Sequence, residues 1–311
     1  MDRLLIVVVG PTGAGKSSLA IRLAEIFSGE LVNCDSLQFY RGFDIGTAKT
    51  PPAARRGIPH HLFDVLGPKT GYSAGDYARQ AREVIAGISD RGHVPIVVGG
   101  TGFYLRALLH GLPGLPGRDE TLRADLARRE QIRPGALHRL LRRMEPAAAA
   151  RIHSNDIQKL TRALEVRILT RAAMPTPESG EPLRGYRVVQ IGLDPDRAEL
   201  YQRLEARVVT MFCSGLLEEV RALLDGGLTG KEKPFESLGY KQALQHLRGE
   251  LTLDQAIEST QIETRQYAKR QWTWFRRDKS VQWLPCFGED PKAAEKSKDL
   301  FKPQMNTDEH T

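Results

Sequence analysis

LLIVVVGPTGAGKS, residues 4–17, is the stretch of this 311-residue chain that decides its fold. The apolar, largely β-branched run Leu4–Val9 is typical of a strand that is buried on both faces of a parallel sheet. Gly10–Ser17 fits the pattern G-x-x-x-x-G-K-[ST], and an amphipathic helix is predicted over Lys16–Phe27. This order of strand, glycine-rich loop and helix predicts a P-loop that holds a diphosphate or a triphosphate.

The residues of the predicted P-loop have separate roles. Its glycines allow backbone N–H groups to point at phosphate oxygens, and the helix N-terminus adds partial positive charge. Lys16 is expected to reach the terminal phosphates, and the Ser17 hydroxyl is expected to bind Mg²⁺. The predicted phosphate cradle comprises Gly10, Pro11, Thr12, Gly13, Ala14, Gly15, Lys16 and Ser17.

Strand and helix patterns alternate along the rest of the core. Further strands are predicted at Leu31–Cys34, Val94–Val98 and Tyr186–Ile191, and capping boxes at Ser73 and Thr252 each begin a helix. The alternation predicts an α/β fold with a P-loop NTPase-like parallel sheet core and a helical insertion domain.

The sequence divides into four parts. Residues 1–114 and 181–287 are predicted to be the two parts of the P-loop core, and residues 115–180 a basic helical insertion. Residues 288–311 are polar and poor in large apolar side chains, which predicts a disordered tail.

Positive charge is concentrated in the insertion. Arg118–Arg171 holds 13 Arg and Lys against seven Asp and Glu, a surplus of six, while the whole chain has a net charge of +7. Such a segment is expected to bind a polyanion such as nucleic acid, and a solvated helical face is the alternative.

The acidic residue of a P-loop NTPase is missing from its usual place. An apolar strand normally ends in an Asp that positions Mg²⁺, but the strand Val94–Val98 runs into Gly99-Gly100-Thr101. Asp35, after the second strand, is the acidic residue at this edge of the sheet. Its carboxylate could ligate a metal, accept a proton or cap a helix.

Cysteine and hydropathy patterns exclude some classes of protein. Cys34, Cys213 and Cys286 are far apart and form no C-x-x-C pair, which argues against a disulfide framework or a zinc site. No apolar stretch approaches the roughly 20 residues of a membrane span, and no signal-peptide cleavage pattern follows the first strand. We expect a cytoplasmic protein with no membrane partner.

A series of further motifs runs in order along nearly the whole chain. It comprises Asp35-Ser-Leu-Gln38, Asp44-Ile-Gly-Thr-Ala-Lys49, Pro59-His-His-Leu62, Val97-Val-Gly-Gly-Thr101, Arg162-Ala-Leu-Glu165, Ser237-Leu-Gly-Tyr-Lys-Gln242, Thr264-Arg-Gln-Tyr-Ala-Lys-Arg-Gln271 and Trp274-Phe-Arg276. Only the P-loop is specific by itself, but the ordered series is very specific. On these residues the chain resembles the tRNA dimethylallyltransferase (isopentenyltransferase) family, in its bacterial form because no zinc-finger segment is present.

The resemblance implies an activity and its partners. It implies transfer of a dimethylallyl group from dimethylallyl diphosphate to N6 of the adenosine 3′ of the anticodon, in tRNAs that read codons beginning with U. The insertion would grip the tRNA anticodon stem-loop. The P-loop would bind the leaving diphosphate with Mg²⁺ as cofactor and hydrolyse no nucleotide, although such proteins are often labelled ATP-binding. We expect a monomer.

The resemblance and the reaction chemistry together assign catalytic roles. Cations must stabilise the leaving diphosphate, and Lys16 and Arg207 are the candidates, with a surface salt bridge as the alternative for Arg207. Asp35 is the candidate general base for the N6 proton. Thr101 is expected to bind the target base or its phosphate, with a helix N-cap as the alternative.

The tRNA contacts are assigned by resemblance alone. They are Asp35, Ser36, Leu37, Gln38, Thr101, Arg123, Gln158, Lys159, Leu160, Thr161, Arg162, Glu236, Ser237, Leu238, Gly239, Tyr240 and Lys241.

The long helix after Thr252 carries two stripes of cations and aromatic residues. Arg265, Lys269, Trp272 and Arg276 share one face, and Trp274 belongs to the second stripe. Such stripes suit phosphates and stacked bases, but we expect the tryptophans to be core residues.

Two other functions fit part of the sequence. A small-molecule P-loop kinase would explain the P-loop and Asp35, but not the basic insertion. A nucleic-acid-binding switch without enzymatic activity would bind GTP or ATP tightly and would lack a prenyl pocket.

Overall fold

The computed structural model describes residues 2–173, 175 and 180–301. Its core is a sheet of the strands β1 (Arg3–Val9), β2 (Gly29–Asn33), β3 (His60–His61), β4 (Val94–Val98), β5 (Tyr186–Leu193) and β6 (Val281–Leu284). All neighbouring strands are parallel, and their order across the sheet is β3-β2-β4-β1-β5-β6. The predicted α/β fold with a parallel sheet is confirmed.

Strand β1 lies in the middle of the sheet. Val7 is in register with Val97 of β4 and with Gln190 of β5. Leu5–Val9 are buried, as expected for a parallel strand covered by helices on both faces. Because the strands are parallel, the loops that follow β1, β2 and β4 meet at the same edge of the sheet, where such folds bind ligands.

The helices follow the strands in the predicted alternation. They are α1 (Lys16–Phe27), α2 (Ala74–Asp90), α3 (Gly102–His110), α4 (Glu120–Ile132), α5 (Ala136–Met144), α6 (Pro146–Arg151), α7 (Ile157–Thr170), α8 (Arg197–Cys213), α9 (Leu216–Asp225), α10 (Tyr240–Leu247), α11 (Leu253–Phe275) and α12 (Pro291–Asp299). The capping boxes predicted at Ser73 and Thr252 are confirmed. No helix within the described ranges is long and apolar enough to cross a membrane.

Contacts divide the chain into two compact units. One unit lies within Met1–Leu109 and Leu183–Thr311 and contains the sheet, and the other is the helical unit His110–Pro182. The helical unit has an apolar core of its own, in which Leu137, Leu141 and other residues of α4–α7 are buried. The assignment of RNA binding to residues 115–180 stays a prediction.

The segment after residue 288 corrects one expectation from the sequence. Residues 288–301 are not disordered: α12 forms there, with Ala293 and Ala294 buried in the core cluster of the sheet unit. The Phe301 ring packs edge-on against Phe27, with their centroids 4.7 Å apart. A few small apolar residues are enough to dock this short helix. The rest of the predicted tail, 302–311, lies outside the described residues.

Candidate active site

The loop Gly10–Ser17 has the backbone conformation of a phosphate cradle. Gly13 and Gly15 have φ angles of 80° and 85°, in the left-handed region that favours glycine. The loop ends at the N-terminus of α1, where backbone N–H groups have no partner within the helix. Lys16 donates a hydrogen bond from Nζ to the Pro11 carbonyl oxygen at 2.8 Å, so that its ammonium group folds back over the loop.

A cavity of about 200 Å³ opens beside this loop. Its lining includes Lys16, Ser17, Asp35, Arg203, Arg207 and Glu289. The structure therefore brings together the P-loop lysine and serine, the acidic residue after β2 and the arginine of α8 that the sequence singled out. Three cations face two carboxylates in this lining, and the surplus of positive charge suits an anionic ligand.

The charges at the inner end of the cavity act on one another. The pKa of Lys16 is lowered to about 8, chiefly by burial; the nearby Asp35 carboxylate opposes the shift and Arg207 adds to it. Burial also lowers the pKa of Arg207, with Asp35 again opposing. Burial removes the water that stabilises these two cations, and one carboxylate offsets only part of their charge. A bound anion would therefore stabilise both cations.

Asp35 is held by a turn and does not cap a helix. Its Oδ1 accepts a hydrogen bond from the Leu37 N–H at 3.0 Å, and its own N–H donates to Asn33 Oδ1 at 2.8 Å. The hydrogen bond to a backbone N–H two residues on is an Asx turn, and no helix begins there. The helix-cap alternative for Asp35 is therefore wrong.

Thr101 joins the loops that follow β2 and β4. Its hydroxyl accepts a hydrogen bond from the Ser36 N–H at 3.1 Å, and the Thr101 N–H donates to the Cys34 carbonyl oxygen at 3.2 Å. These contacts fix the loop that carries Asp35 to the end of β4. The Thr101 hydroxyl therefore bonds to the loop after β2 and does not cap α3.

Gln271, on α11, forms hydrogen bonds to the P-loop and to the loop after β4. The sequence did not identify it as a site residue. Its Oε1 accepts from the Thr12 N–H at 2.7 Å, and its Nε2 donates to the Gly100 carbonyl oxygen at 3.0 Å. A Cβ at Gly100 would lie 2.0 Å from Gln271 Nε2, so only glycine leaves room for this contact. The sequence placed Gln271 within a motif of the family, but no spacing rule shows that its amide reaches the P-loop.

Glu289 and Tyr267 are further residues of the site that the sequence did not identify. Glu289 accepts hydrogen bonds from Arg203 at 2.6 and 3.1 Å. Burial raises the pKa of Tyr267, and the nearby charge of Asp35 raises it further. Glu289 was missed because its segment was predicted to be disordered.

The predicted contacts near residue 240 are partly buried. The Tyr240 ring is fully buried, and its hydroxyl donates to Glu219 and accepts from the Gly46 N–H at 3.1 Å. Lys241 is exposed and pairs with Glu263 at 3.2 Å. Glu236 and Lys241 are therefore exposed in this segment, whereas Tyr240 is buried and has a structural role.

In the helical unit, two predicted contact residues pair with one buried carboxylate. Glu165 is fully buried and accepts from Arg123 at 2.7 and 2.8 Å and from Arg162 Nη1 at 2.5 Å. Burial by itself would raise the pKa of Glu165, but the two arginines and the Asp119 N–H lower it to about 2.

The other predicted residues of α7 differ in exposure. Leu160 is fully buried and belongs to the core of the helical unit, and Thr161 is half-buried. Gln158 and Lys159 are exposed, and Lys159 pairs with Asp156 at 2.6 Å. A tRNA contact by these residues stays a prediction.

The two tryptophans of α11 differ. Trp272 is 7% exposed and packs with Leu200 and Leu204 of α8, as expected for a core residue. Trp274 is 40% exposed, so the core prediction is wrong for it, although its indole lies against Gly102. Arg276 pairs with Asp194 at 2.9 Å.

The described residues contain no group of three or more His, Cys, Asp or Glu side chains that could hold a metal ion. His61 instead pairs with the Glu30 carboxylate at 2.6 Å. A metal at this site would depend on serine and single carboxylate oxygens together with the oxygens of a ligand.

Comparison with known proteins identifies the family. The family model described as "IPP transferase" matches residues 38–278. This chain belongs to that family of enzymes. It is 57% identical to the tRNA dimethylallyltransferase of Solibacter usitatus over 297 residues, which are 95% of this chain and 97% of the relative. It is 53% identical to that of Koribacter versatilis, covering 97% and 99% of the two chains.

Solved structures share the fold. The full-length tRNA isopentenylpyrophosphate transferase of Bacillus halodurans matches with a TM-score of 0.72 and 36% identity, over 96% of both chains. A eukaryotic dimethylallyltransferase acting on tRNA matches with a TM-score of 0.80 and 28% identity, over 96% of this chain and 77% of the other. The resemblance seen in the ordered motifs is confirmed.

Proposed function

We propose that this enzyme transfers the dimethylallyl group of dimethylallyl diphosphate to N6 of the adenosine 3′ of the anticodon, in tRNAs that read codons beginning with U. The observation that carries the proposal is the shared cavity, in which Asp35 lies beside a P-loop that carries Lys16 and faces Arg207. A phosphate cradle and a carboxylate at one cavity are what this transfer needs.

The cations of the cavity serve the leaving group. When the allylic C–O bond breaks, negative charge builds up on the diphosphate, and the P-loop amides, Lys16 and Arg207 stabilise it. Both side chains are partly desolvated, so their interaction with the diphosphate is less screened than on an open surface. These groups hold the diphosphate while the N6–C bond forms.

Asp35 serves the nucleophile. The Asx turn fixes its Oδ1, whereas Oδ2 makes no hydrogen bond within the described residues and is open to a substrate. The target adenine must leave its stack to reach the cavity, as for other enzymes that modify bases. As N6 bonds to the prenyl carbon, its proton moves to Asp35 and the diphosphate leaves, so that atoms and charges balance.

The oxygen groups of the cavity fit Mg²⁺. The Ser17 hydroxyl lines the cavity and has no hydrogen bond among the described residues, which leaves it available as a ligand. Mg²⁺ commonly takes one or two protein oxygens and completes its shell with phosphate oxygens and water. Bound there, the metal would neutralise charge on the diphosphate, with Ser17 as its protein ligand.

The helical unit is the candidate for gripping the anticodon stem-loop. It carries the positive surplus of the chain, and Arg142 and Arg143 are exposed, with no ion pair in the part of the chain that the structure describes. Cations of this kind suit RNA phosphates. We also propose that the enzyme acts as a monomer in the cytoplasm.

Nucleoside mass analysis tests this function. Unmodified tRNA is incubated with the enzyme, dimethylallyl diphosphate and Mg²⁺, then digested to nucleosides. We expect N6-(dimethylallyl)adenosine from tRNAs that read codons beginning with U, and none when that adenosine is replaced by guanosine. Product in the replaced tRNA, or none in either tRNA, would contradict the proposal.

A further inference from the structure

Two elements pack against the P-loop at different glycines. Helix α8 packs on Gly13, where an added Cβ would lie 2.6 Å from the Leu204 side chain. A segment after β6, residues 287–289, packs on Gly15, where an added Cβ would lie 2.2 Å from Glu289 Oε2. We call this segment the C-terminal strap. It lies beyond residues 38–278, which the family model matches.

The backbone of the C-terminal strap is fixed to the loop and to α1. The Gly288 N–H donates to the Ala14 carbonyl oxygen at 2.8 Å. A Cβ added to Gly288 would lie 2.1 Å from the Gly15 carbonyl oxygen, so the two backbones are in close contact. Arg22 of α1 donates to the Glu289 carbonyl oxygen at 2.7 Å. These contacts give the Glu289 side chain a defined starting point beside the P-loop.

The Glu289 carboxylate joins the strap to α8 through Arg203. Arg203 donates from Nη2 to Oε1 at 2.6 Å and from Nη1 to Oε2 at 3.1 Å. Ser18 donates to Oε1 at 3.3 Å, and the Arg203 guanidinium lies over the Phe287 ring, 5.0 Å from its centroid. Paired hydrogen bonds and an aromatic face together fix both the direction and the plane of a guanidinium.

The arginine that is held in this way lines the cavity. Arg203 and Arg207 are four residues apart on α8 and therefore share a face of the helix, and both line the cavity beside Lys16. A guanidinium carries more N–H donors than the two that bond to Glu289, which leaves others for a ligand. The strap thus holds a second arginine of α8 at the phosphate cradle.

We propose that Glu289 is a positioning residue for the leaving group, because it holds Arg203 ready to bind the diphosphate of the donor beside Arg207. A free arginine side chain loses rotamer freedom when it binds a ligand, whereas one that is already held loses less. Glu289 acts through Arg203 and touches no reacting atom. This inference rests on the proposed function, because it takes the bound anion to be the donor's diphosphate.

The charge of Glu289 alone would have the opposite effect. A carboxylate that lines the cavity repels an anion, so that its removal would tighten the binding of a diphosphate. Positioning and repulsion therefore predict opposite results when the carboxylate is replaced.

Calorimetric titration of the full chain with pyrophosphate and Mg²⁺ distinguishes the two effects. The variants are Glu289→Gln, which keeps the size of the side chain, Glu289→Ala, Arg203→Ala, and Glu289→Gln combined with Arg203→Ala. The control is Glu25→Gln on α1, which changes the net charge equally and whose carboxylate pairs with Arg56 on the surface. Circular dichroism verifies the folding of each variant.

We expect Glu289→Gln, Glu289→Ala and Arg203→Ala each to weaken pyrophosphate binding about five- to tenfold, and Glu25→Gln to stay within about twofold of wild type. The combined variant should bind like Arg203→Ala alone, because Glu289 acts only through that arginine. Tighter or unchanged binding in the Glu289 variants, unchanged binding in Arg203→Ala, or losses that add up in the combined variant would overturn the role of Glu289. Failure of the wild type to bind pyrophosphate would contradict the proposed function as well.

Discussion

The amide of Gln271 links the P-loop to the end of β4: its Oε1 accepts from the Thr12 N–H at 2.7 Å, and its Nε2 donates to the Gly100 carbonyl oxygen at 3.0 Å. The side chain is 5% exposed, so neither bond is exchanged easily for water. One residue of α11 thus sets the spacing between the phosphate cradle and the loop that holds Thr101, and through Thr101 the loop that holds Asp35.

Replacing this amide should damage transfer without weakening tRNA binding. Gln271→Glu keeps the acceptor for Thr12 but loses the donor to Gly100, and it buries a negative charge beside the diphosphate. We expect kcat to fall roughly 10- to 100-fold, as for other losses of positioned groups, with tRNA affinity within about twofold of wild type. Steady-state kinetics and filter binding measure both quantities.

Gln202→Glu, at an exposed position on α8, is the matched control and should leave both values unchanged. A Gln271→Glu enzyme whose KM for the donor rises while kcat is kept would show that Gln271 only helps to bind the donor.

Asp35 is expected to carry the proton transfer. Asp35→Asn keeps the shape and the Asx turn, so both substrates should bind almost normally. Single-turnover rates should fall by roughly two to four powers of ten, the usual effect of a positioned general base. If extra Mg²⁺ restores much of the rate, Asp35 is chiefly a metal ligand and its assignment as the base fails.

Lys16 is expected to serve the donor and not the tRNA. Lys16→Ala removes a cation from the cradle and should reduce transfer at least about 100-fold, while tRNA affinity changes little. Lys292→Ala removes an exposed lysine of α12 and serves as the control for charge. Equal losses of tRNA affinity and turnover in Lys16→Ala would refute this division of roles.

The buried Glu165 should make the stability of the helical unit depend on pH. Its pKa is about 2 in the folded chain against an ordinary value of 4.5. Its contribution to stability is therefore complete above about pH 4.5 and is lost as the pH falls towards 2. Amide hydrogen exchange of α4 and α7 should show protection falling across this window in the wild type, and a flatter profile in Glu165→Gln.

Removing one of the arginine partners of Glu165 should also destabilise this unit. Arg123→Ala leaves a buried carboxylate with one cation fewer, at a cost of about 3 kcal/mol in protection. Arg128→Ala breaks an exposed pair with Asp125 on the same helix and should have little effect. Similar protection in the two variants would mean that Arg123 is free for another role, such as binding RNA.

The sequence predicted correctly those elements that short patterns of neighbouring residues define. The β-branched run Leu4–Val9, the P-loop and the capping boxes at Ser73 and Thr252 depend on neighbouring residues, and the structure has each of them. The long helix began where its capping box placed it. The short α12 was missed because its sequence is polar, although Asp290 caps its N-terminus and its buried alanines pack against the sheet unit.

The parts of the site that the sequence missed depend on long-range contacts. Gln271 and Glu289 reach the P-loop from about 260 to 270 residues away along the chain. Arg123 was predicted to contact tRNA as one of the cations of the insertion. The sequence could not show that it pairs with the buried carboxylate of Glu165. Trp272 and Trp274 are the same residue type on one helix, yet Trp274 is far more exposed. The packing of α8 against α11 decides which of the two is buried, and the sequence does not show that packing.

The most direct test of the account gives the enzyme a choice of donor. Unmodified tRNA is incubated with equal concentrations of dimethylallyl diphosphate and ATP plus Mg²⁺, and modified nucleosides, released pyrophosphate and ADP are measured together. We expect one pyrophosphate for each dimethylallyl adenosine formed, with no ADP. ADP formation with a phosphorylated acceptor, and no prenylated adenosine, would contradict the account.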